Sequence, residues 1–141
     1  MKTFKEYIIE QSRTKEEELE LAKNSPLFKH IKLKGWLVKS SIHASAQAED
    51  RRKEFTLKDW KKLHIKGIAE LESENVYPTS EFFLIYSKSQ EQGYIVKVSW
   101  RRKDIRIITV LPKGKNTPKD GTSKLVVEGL EITNLVTLEV E

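Results

Sequence analysis

The chain contains no cysteine, only six glycines and four prolines among its 141 residues, and no long apolar run. Without cysteine, the sequence excludes disulfide scaffolds, thiolate metal sites and cysteine nucleophiles. The low glycine and proline content excludes collagen-like and low-complexity chains. The longest apolar runs, such as residues 82–86, are far shorter than the ~20 residues of a membrane span. The N-terminus also lacks the apolar segment of a secretory signal. We therefore expect a soluble cytoplasmic protein that does not enter a membrane.

Charge is plentiful and unevenly placed. Charged residues make up 33% of the chain and hydrophobic residues 38%, which predicts a modest core under a heavily charged surface. The formal net charge is +5, but residues 25–115 hold 19 basic and 10 acidic side chains, whereas both ends are acidic. A positive central segment is the electrostatic footprint of a protein that binds a polyanion. A lysine-rich solvated surface gives the same pattern, so charge alone leaves both interpretations open.

Helical patterns dominate the first half of the chain. Residues 2–23 are predicted to be a helix with a thin apolar stripe, stopped by a turn-forming cluster at 24–26. We therefore predict an N-terminal helical appendage over residues 1–24 and a single domain over residues 25–141. Residues 27–39 alternate loosely, as in a loop or short strand. Further helices are predicted over residues 42–53 and after Thr56, where Asp59 completes a capping box.

Strand-like patterns dominate the second half. Residues 82–86, 94–100 and 105–111 are β-rich and are separated by hairpin-length polar turns, which predicts an antiparallel meander. Two more strands are expected over residues 124–127 and 136–140. Helices followed by strands predict the α+β class. The expected architecture is N-terminal helices packed on an antiparallel β-sheet.

Metal and cofactor chemistry finds no support in the motifs. The three histidines have no partners at metal-ligand spacing, and no acidic cluster suits a two-metal nuclease. There is also no glycine-rich phosphate loop. We therefore expect neither a metal nor a cofactor.

One helix carries residues suited to acid–base chemistry on a phosphodiester. His43, Gln47 and Arg51 recur at i, i+4 and i+8 and so share one helix face, with Arg52 beside it. Histidine exchanges protons near neutral pH, and the arginine fork matches phosphate oxygens. These groups suit RNA transesterification, in which a base takes the 2′-OH proton and a cation stabilises the phosphorane. An ordinary surface helix with one histidine gives the same spacing.

The same residues resemble a family signature. Residues 41–51 read Ser-Ile-His-Ala-Ser-Ala-Gln-Ala-Glu-Asp-Arg, followed by Phe55-Thr56 and by the run Ile-Thr-Val-Leu at 108–111. Together they resemble the barnase–EndoU–colicin–RelE-like superfamily of small RNases and toxins, over roughly residues 38–113. The resemblance implies that His43, Arg51 and Thr109 are catalytic and that RNA is the partner. Two features depart from the family pattern: Gln47 replaces a usual arginine, and two extra residues precede Phe55.

A second set of residues is predicted to hold the substrate. The β-rich turn around Trp100 combines an aromatic ring with cations that could bind phosphates and stack a base. A core role for this tryptophan is an equal alternative. The predicted substrate-binding residues are Gln47, Arg52, Trp100, Arg101, Arg102, Arg106 and Lys113.

The first ten residues, Met-Lys-Thr-Phe-Lys-Glu-Tyr-Ile-Ile-Glu, carry a second resemblance. They are similar to the capsid-targeting segments of internal head proteins from large tailed bacteriophages, which a prohead protease removes. The resemblance implies cleavage after Glu10, packaging in the phage head and injection into the host cytoplasm. The leading hypothesis is therefore a phage-encoded, metal-independent endoribonuclease or toxin-like RNA-binding protein. The alternative is a non-catalytic internal head protein that binds a host protein or packaged DNA.

Overall fold

The computed structural model describes residues 14–50, 55–73, 78, 80–111, 125–127, 130–132 and 135–140. Within these ranges the chain forms three helices and eight strands. The helices are α1 (Lys15–Lys23), α2 (Ile42–Asp50) and α3 (Leu57–Leu71). The strands are β1 (Ile31–Leu33), β2 (Trp36–Ser40), β3 (Phe82–Ser87), β4 (Gln92–Ser99), β5 (Asp104–Val110), β6 (Leu125–Val127), β7 (Leu130–Ile132) and β8 (Val136–Val140).

Six strands form one sheet in the order β1-β2-β5-β4-β3-β8, and β6 pairs with β7 in a separate ribbon. The predicted α+β class is confirmed. The predicted meander is also confirmed, because β3, β4 and β5 pair antiparallel in succession. The tight turns after β3 and β4 leave only this antiparallel pairing open to neighbouring strands.

The expectation of a purely antiparallel sheet is wrong. Strand β2 pairs parallel with β5, and β3 pairs parallel with β8. The helices are also not simply N-terminal to the sheet, since the β1–β2 hairpin lies between α1 and α2. Parallel neighbours need long crossover connections. Both parallel pairs join strands far apart in the sequence, where hairpin lengths carry no information.

Capping fixes where the helices begin. The Thr56 side chain accepts a hydrogen bond from the Asp59 backbone N–H, and the Asp59 carboxylate accepts one from the Thr56 backbone N–H. This is the predicted capping box, and the backbone hydrogen bond from Thr56 lowers the pKa of the Asp59 carboxyl. At α1, the Thr14 side chain likewise accepts from the Glu17 backbone N–H.

The sheet has two differently covered faces. The main core joins helices to one face, with Trp60 and Ile68 of α3 packed among strand residues such as Phe83 and Ile107. A smaller cluster on the other face contains Ile95, Ile108 and Ile132, with Ile132 contributed by β7. The opposite face is therefore covered at its centre by apolar side chains and elsewhere carries charged ones.

Candidate functional site

Helix α2 lies along the part of β5 that β2 leaves unpaired. Strand β2 ends at Ser40, and the next residue, Ser41, continues the hydrogen bonding to β5. The Ser41 backbone N–H donates to the Ile107 carbonyl at 3.0 Å, and the Ser41 hydroxyl donates to the Ile108 carbonyl at 3.1 Å. The same hydroxyl accepts from the Ala44 backbone N–H at 3.0 Å, as an N-cap does. Ser41 thus begins the helix and fixes it to the sheet edge.

Gln47 continues this attachment six residues later. Its Oε1 accepts hydrogen bonds from the Thr109 hydroxyl at 3.0 Å and from the Val110 backbone N–H at 2.8 Å. Thr109 is buried and Gln47 is half-buried. Two residues that the sequence singled out separately are therefore in direct contact. The same Gln47 oxygen satisfies the Val110 N–H, a backbone donor at the open edge of β5 that water or another strand would otherwise have to satisfy.

His43 lies one turn before Gln47 and contacts α1. Its Nδ1 is 2.5 Å from Glu18 Oε1, and the two side chains are 37% and 23% exposed. With Nδ1–H donating to the carboxylate, the imidazole is held in the tautomer whose Nε2 carries a lone pair. Among the described residues, none forms a hydrogen bond with Nε2. His43 thus has a ring oriented by Glu18 on a side chain that is partly exposed.

The predicted catalytic residues are only partly covered by the structure. His43 and Gln47 lie on α2, and Gln47 contacts Thr109, so these three belong to one region of the molecule. Arg51, Arg52, Lys113 and the predicted cleavage position Glu10 lie outside the described residues. The appendage predicted over residues 1–24 is described only from residue 14 onward, where α1 packs against α2 and buries Ala22. The domain boundary stays a prediction.

Trp100 packs on the domain rather than standing free at the hairpin tip. Its ring meets Trp36 and Phe83 edge-on, with centroid distances of 5.8 and 5.9 Å. Its Nε1–H donates to the Ser80 carbonyl at 3.0 Å. The ring is half-buried against the core cluster. This geometry favours the core interpretation of Trp100.

The predicted substrate-binding arginines lie elsewhere. Arg101 and Arg102 are exposed in the turn between β4 and β5. Arg106 is exposed on β5, between the core residues Ile105 and Ile107. Since neighbouring side chains of a strand point to opposite faces, Arg106 points away from the core that the helices cover. The structure does not group it with His43.

Arg106 instead belongs to a row of cations across three strands. Lys39 of β2 and Lys97 of β4 are its direct cross-strand partners. Lys39 Nζ is 3.2 Å from Asp104 Oδ2, and Lys97 Nζ lies 5.9 Å from the Phe82 ring centroid. Like charges directly opposite each other on a sheet are unfavourable. We call Lys39, Arg106 and Lys97 the cationic row.

Sequence reasoning missed Glu18, Lys39 and Lys97. Glu18 stands in a run of glutamates, and which of them meets α2 depends on packing between helices 25 positions apart. Strand alternation could have placed Arg106 and Lys97 on the outer face. It could not have shown that they are neighbours of Lys39, because that requires the parallel β2–β5 register.

Neither a cluster of metal-ligating side chains nor a membrane-spanning helix occurs in the described part of the chain. No group of three or more histidine, aspartate or glutamate side chains within it could hold a metal ion. None of its helices is both long and apolar enough to cross a membrane.

Comparison of the chain with protein-family models, with curated proteins and with solved structures finds no match. The family resemblance therefore depends on the short motifs around His43 and Thr109 alone.

Proposed function

We propose that this protein cleaves RNA by metal-independent transesterification, with His43 as the group that transfers protons. The observation that carries the proposal is the contact between His43 Nδ1 and Glu18 Oε1. A carboxylate that accepts from one ring nitrogen leaves the other free to take a proton and stabilises the imidazolium that results. The same pairing without catalysis would serve only to hold α1 on α2.

The reaction follows from the chemistry of RNA. His43 Nε2 takes the proton of a ribose 2′-OH, and the 2′-oxygen attacks the adjacent phosphorus. The bond from phosphorus to the 5′-oxygen breaks and that oxygen takes a proton from water, while the His43 imidazolium returns its proton to the solvent. The products are a 2′,3′-cyclic phosphate and a free 5′-hydroxyl. Arg51, eight residues after His43 in the sequence, is proposed to stabilise the charge of the phosphorane. Gln47 and Thr109 are positioning residues in this proposal, since their polar atoms bond to each other.

The test is cleavage of an RNA oligonucleotide by purified protein in excess chelator. We expect cyclic-phosphate products, no cleavage of the matching DNA, and a rate ~100-fold lower for His43→Ala, as for loss of a general base. Glu18→Gln should lower the rate by ~10-fold, because the amide still accepts Nδ1–H but does not stabilise the imidazolium. Glu16→Gln, an exposed change on the same helix, is the control. Undiminished cleavage by His43→Ala, or no cleavage by the unaltered protein, would overturn the proposal.

The resemblance of the first ten residues supports a proposal about location. A segment removed by a prohead protease implies a protein packaged with the phage genome and delivered into the host. A net positive charge suits packing beside DNA, because cations on the protein replace the counterions of the phosphate backbone.

The cationic row favours a second candidate function, the binding of a phosphodiester backbone without catalysis. Three cations at adjacent positions repel one another, and a bound polyanion relieves that repulsion. Of the three, Lys39 already has a partner in Asp104. This candidate corresponds to an internal head protein that binds packaged DNA.

Neutralisation of the row tests this second candidate. The triple variant Lys39→Gln, Lys97→Gln, Arg106→Gln should bind DNA and RNA more weakly and with a salt dependence reduced by about three phosphate contacts. The matched control neutralises Lys58, Lys62 and Lys88, which are exposed elsewhere. Equal losses in both triples would show that only net charge matters, and the row would then have no specific role.

A further inference from the structure

An open cavity of about 430 Å³ lies between the end of α1, the loop after it and the start of α3. Its apolar surface comes from Pro26, Phe28, Ile31 and Leu57. Phe28 and Leu57 are 38% and 42% exposed, and they are two of the four large hydrophobic side chains exposed in the described residues. Exposed apolar side chains that gather in one cavity, rather than being scattered singly, indicate a binding site.

Among the described residues, the charged side chains that line this cavity are all basic. They are Lys23, Lys29 and Lys61, and His30 lies beside them. Lys23 has a surface partner in Glu20, with 3.3 Å between Nζ and Oε1, and both side chains are largely exposed. An exposed pair of this kind is weak and easily exchanged for another anion. The cavity therefore suits a ligand with an apolar body and a negative charge.

The walls of the cavity are well anchored in the fold. The loop after α1 is held by a hydrogen bond from the Ser25 backbone N–H to the Ala22 carbonyl at 2.9 Å. The Ser25 hydroxyl accepts from the Leu27 backbone N–H at 3.2 Å, and Leu27 belongs to the main core. Phe28 therefore projects from a loop that is already held in place. Little conformational entropy of the protein is lost when a ligand stacks on its ring.

We propose that this cavity holds one nucleotide of a single-stranded RNA, with the base against Phe28 and a phosphate near Lys61 and Lys29. The proposal rests on the proposed RNA cleavage and adds a substrate subsite to it. An aromatic ring beside cations is the arrangement that binds single strands without sequence preference. An acyl chain would need an enclosed cavity, whereas Phe28 and Leu57 remain open to solvent.

The cavity and His43 are linked through α1. Glu18, which contacts His43, lies five residues before Lys23, which lines the cavity. At 1.5 Å per residue these two positions are about 7.5 Å apart along the helix axis. Five residues also turn the helix by about 140°, so Glu18 and Lys23 lie on different sides of α1. An oligonucleotide that reaches both sites therefore has to pass around α1, with the subsite holding a nucleotide beyond the one that is cleaved.

The experiment measures binding of a fluorescent single-stranded RNA by anisotropy, in a His43→Ala background in which cleavage is expected to be ~100-fold slower. Phe28→Ala should weaken binding about tenfold, as expected for loss of one stacked base. Lys61→Gln should weaken it less and reduce the salt dependence by about one phosphate contact. The controls are Ile65→Ala, with the same 38% exposure as Phe28, and Lys62→Gln, both on α3 outside the cavity. Neither control should change the affinity.

The outcomes separate the two proposals. If Phe28→Ala and Lys61→Gln bind RNA as tightly as the controls do, the subsite is overturned even where the unaltered protein cleaves RNA. If binding falls as expected but the unaltered protein cleaves nothing, the subsite stands and the catalytic proposal fails. If the protein does not bind the RNA but binds an acidic, phenylalanine-containing peptide tightly, the subsite is overturned in favour of a protein partner.

Discussion

The amide oxygen of Gln47 lies 3.0 Å from the hydroxyl of Thr109, 62 residues later in the chain, and also accepts the Val110 backbone N–H. At this position the RNase superfamily that residues 41–51 resemble usually has arginine. An arginine side chain offers only donors, so it cannot accept either hydrogen bond. The glutamine therefore has a structural reason to be here.

Gln47→Arg should accordingly destabilise the protein by about 2 kcal/mol, because the Val110 N–H would lose its acceptor and face a cation. Urea unfolding measures this loss. Gln47→Glu keeps an acceptor oxygen and should cost less, which makes it the matched control. If Gln47→Arg unfolds at the same urea concentration as the unaltered protein, the contact with Thr109 contributes little to stability.

A buried histidine predicts a pH-dependent stability. His64 is 1% exposed, with Nδ1 2.7 Å from Tyr94 Oη, and burial lowers the pKa of His64 to about 4. In the unfolded chain the His64 imidazole takes up a proton as the pH falls through 6.5, whereas in the folded protein it stays neutral down to about pH 4. The free energy of unfolding is therefore highest above pH 6.5 and decreases as the pH falls toward 4. The loss should reach about 2 kcal/mol by pH 5.

Urea unfolding between pH 7.5 and 5 measures this slope. His64→Phe removes the titrating group, so its stability should change much less over the same range, whatever its absolute value. An equal slope in both proteins would assign the pH dependence to other groups.

Gly67 allows α3 to approach β3 closely. A β-carbon at this position would lie 2.9 Å from Ile85 Cδ1 and 3.1 Å from Ile85 Cγ2. Gly67→Ala gains up to ~1 kcal/mol in helix propensity, but overpacking of a filled core costs ~1–3 kcal/mol. We expect a net loss of about 1 kcal/mol in unfolding experiments. In an Ile85→Val background, which lacks Cδ1, the same change should cost less, and additive effects would contradict a contact between the two.

Local signals in the sequence predicted the parts of the fold that depend on neighbouring residues. The capping box of Thr56 and Asp59 and the β3–β5 meander are of this kind. The β1–β2 hairpin also has a local signal in the sequence. Lys34 and Gly35 form its two-residue turn, both with positive φ (51° and 83°), as a type I′ turn requires.

The remaining features depend on pairings between distant parts of the chain. The parallel register of β2 on β5 brings Lys39 beside Arg106, and no periodicity in either strand encodes that neighbour. The contact of Glu18 with His43 likewise requires α1 to lie on α2. Sequence spacing placed His43 and Gln47 on one helix face. It could not assign Gln47 to the edge of β5, because that edge becomes free only where β2 ends.

Two truncations distinguish the first ten residues from α1. Cleavage after Glu10 by a prohead protease should leave a chain that still contains α1, with Glu18 available to His43 and Ala22 buried. We therefore expect residues 11–141 to match the full chain in melting temperature and in RNA cleavage. Deletion through residue 24 removes Glu18 and exposes the surface of α2 that α1 covers, so both stability and cleavage should fall.

Mass spectrometry after co-expression with the protease checks the cleavage position, and thermal melts compare the two truncations. An intact N-terminus would contradict capsid targeting, and equal melting temperatures for both truncations would show that α1 adds nothing to the domain.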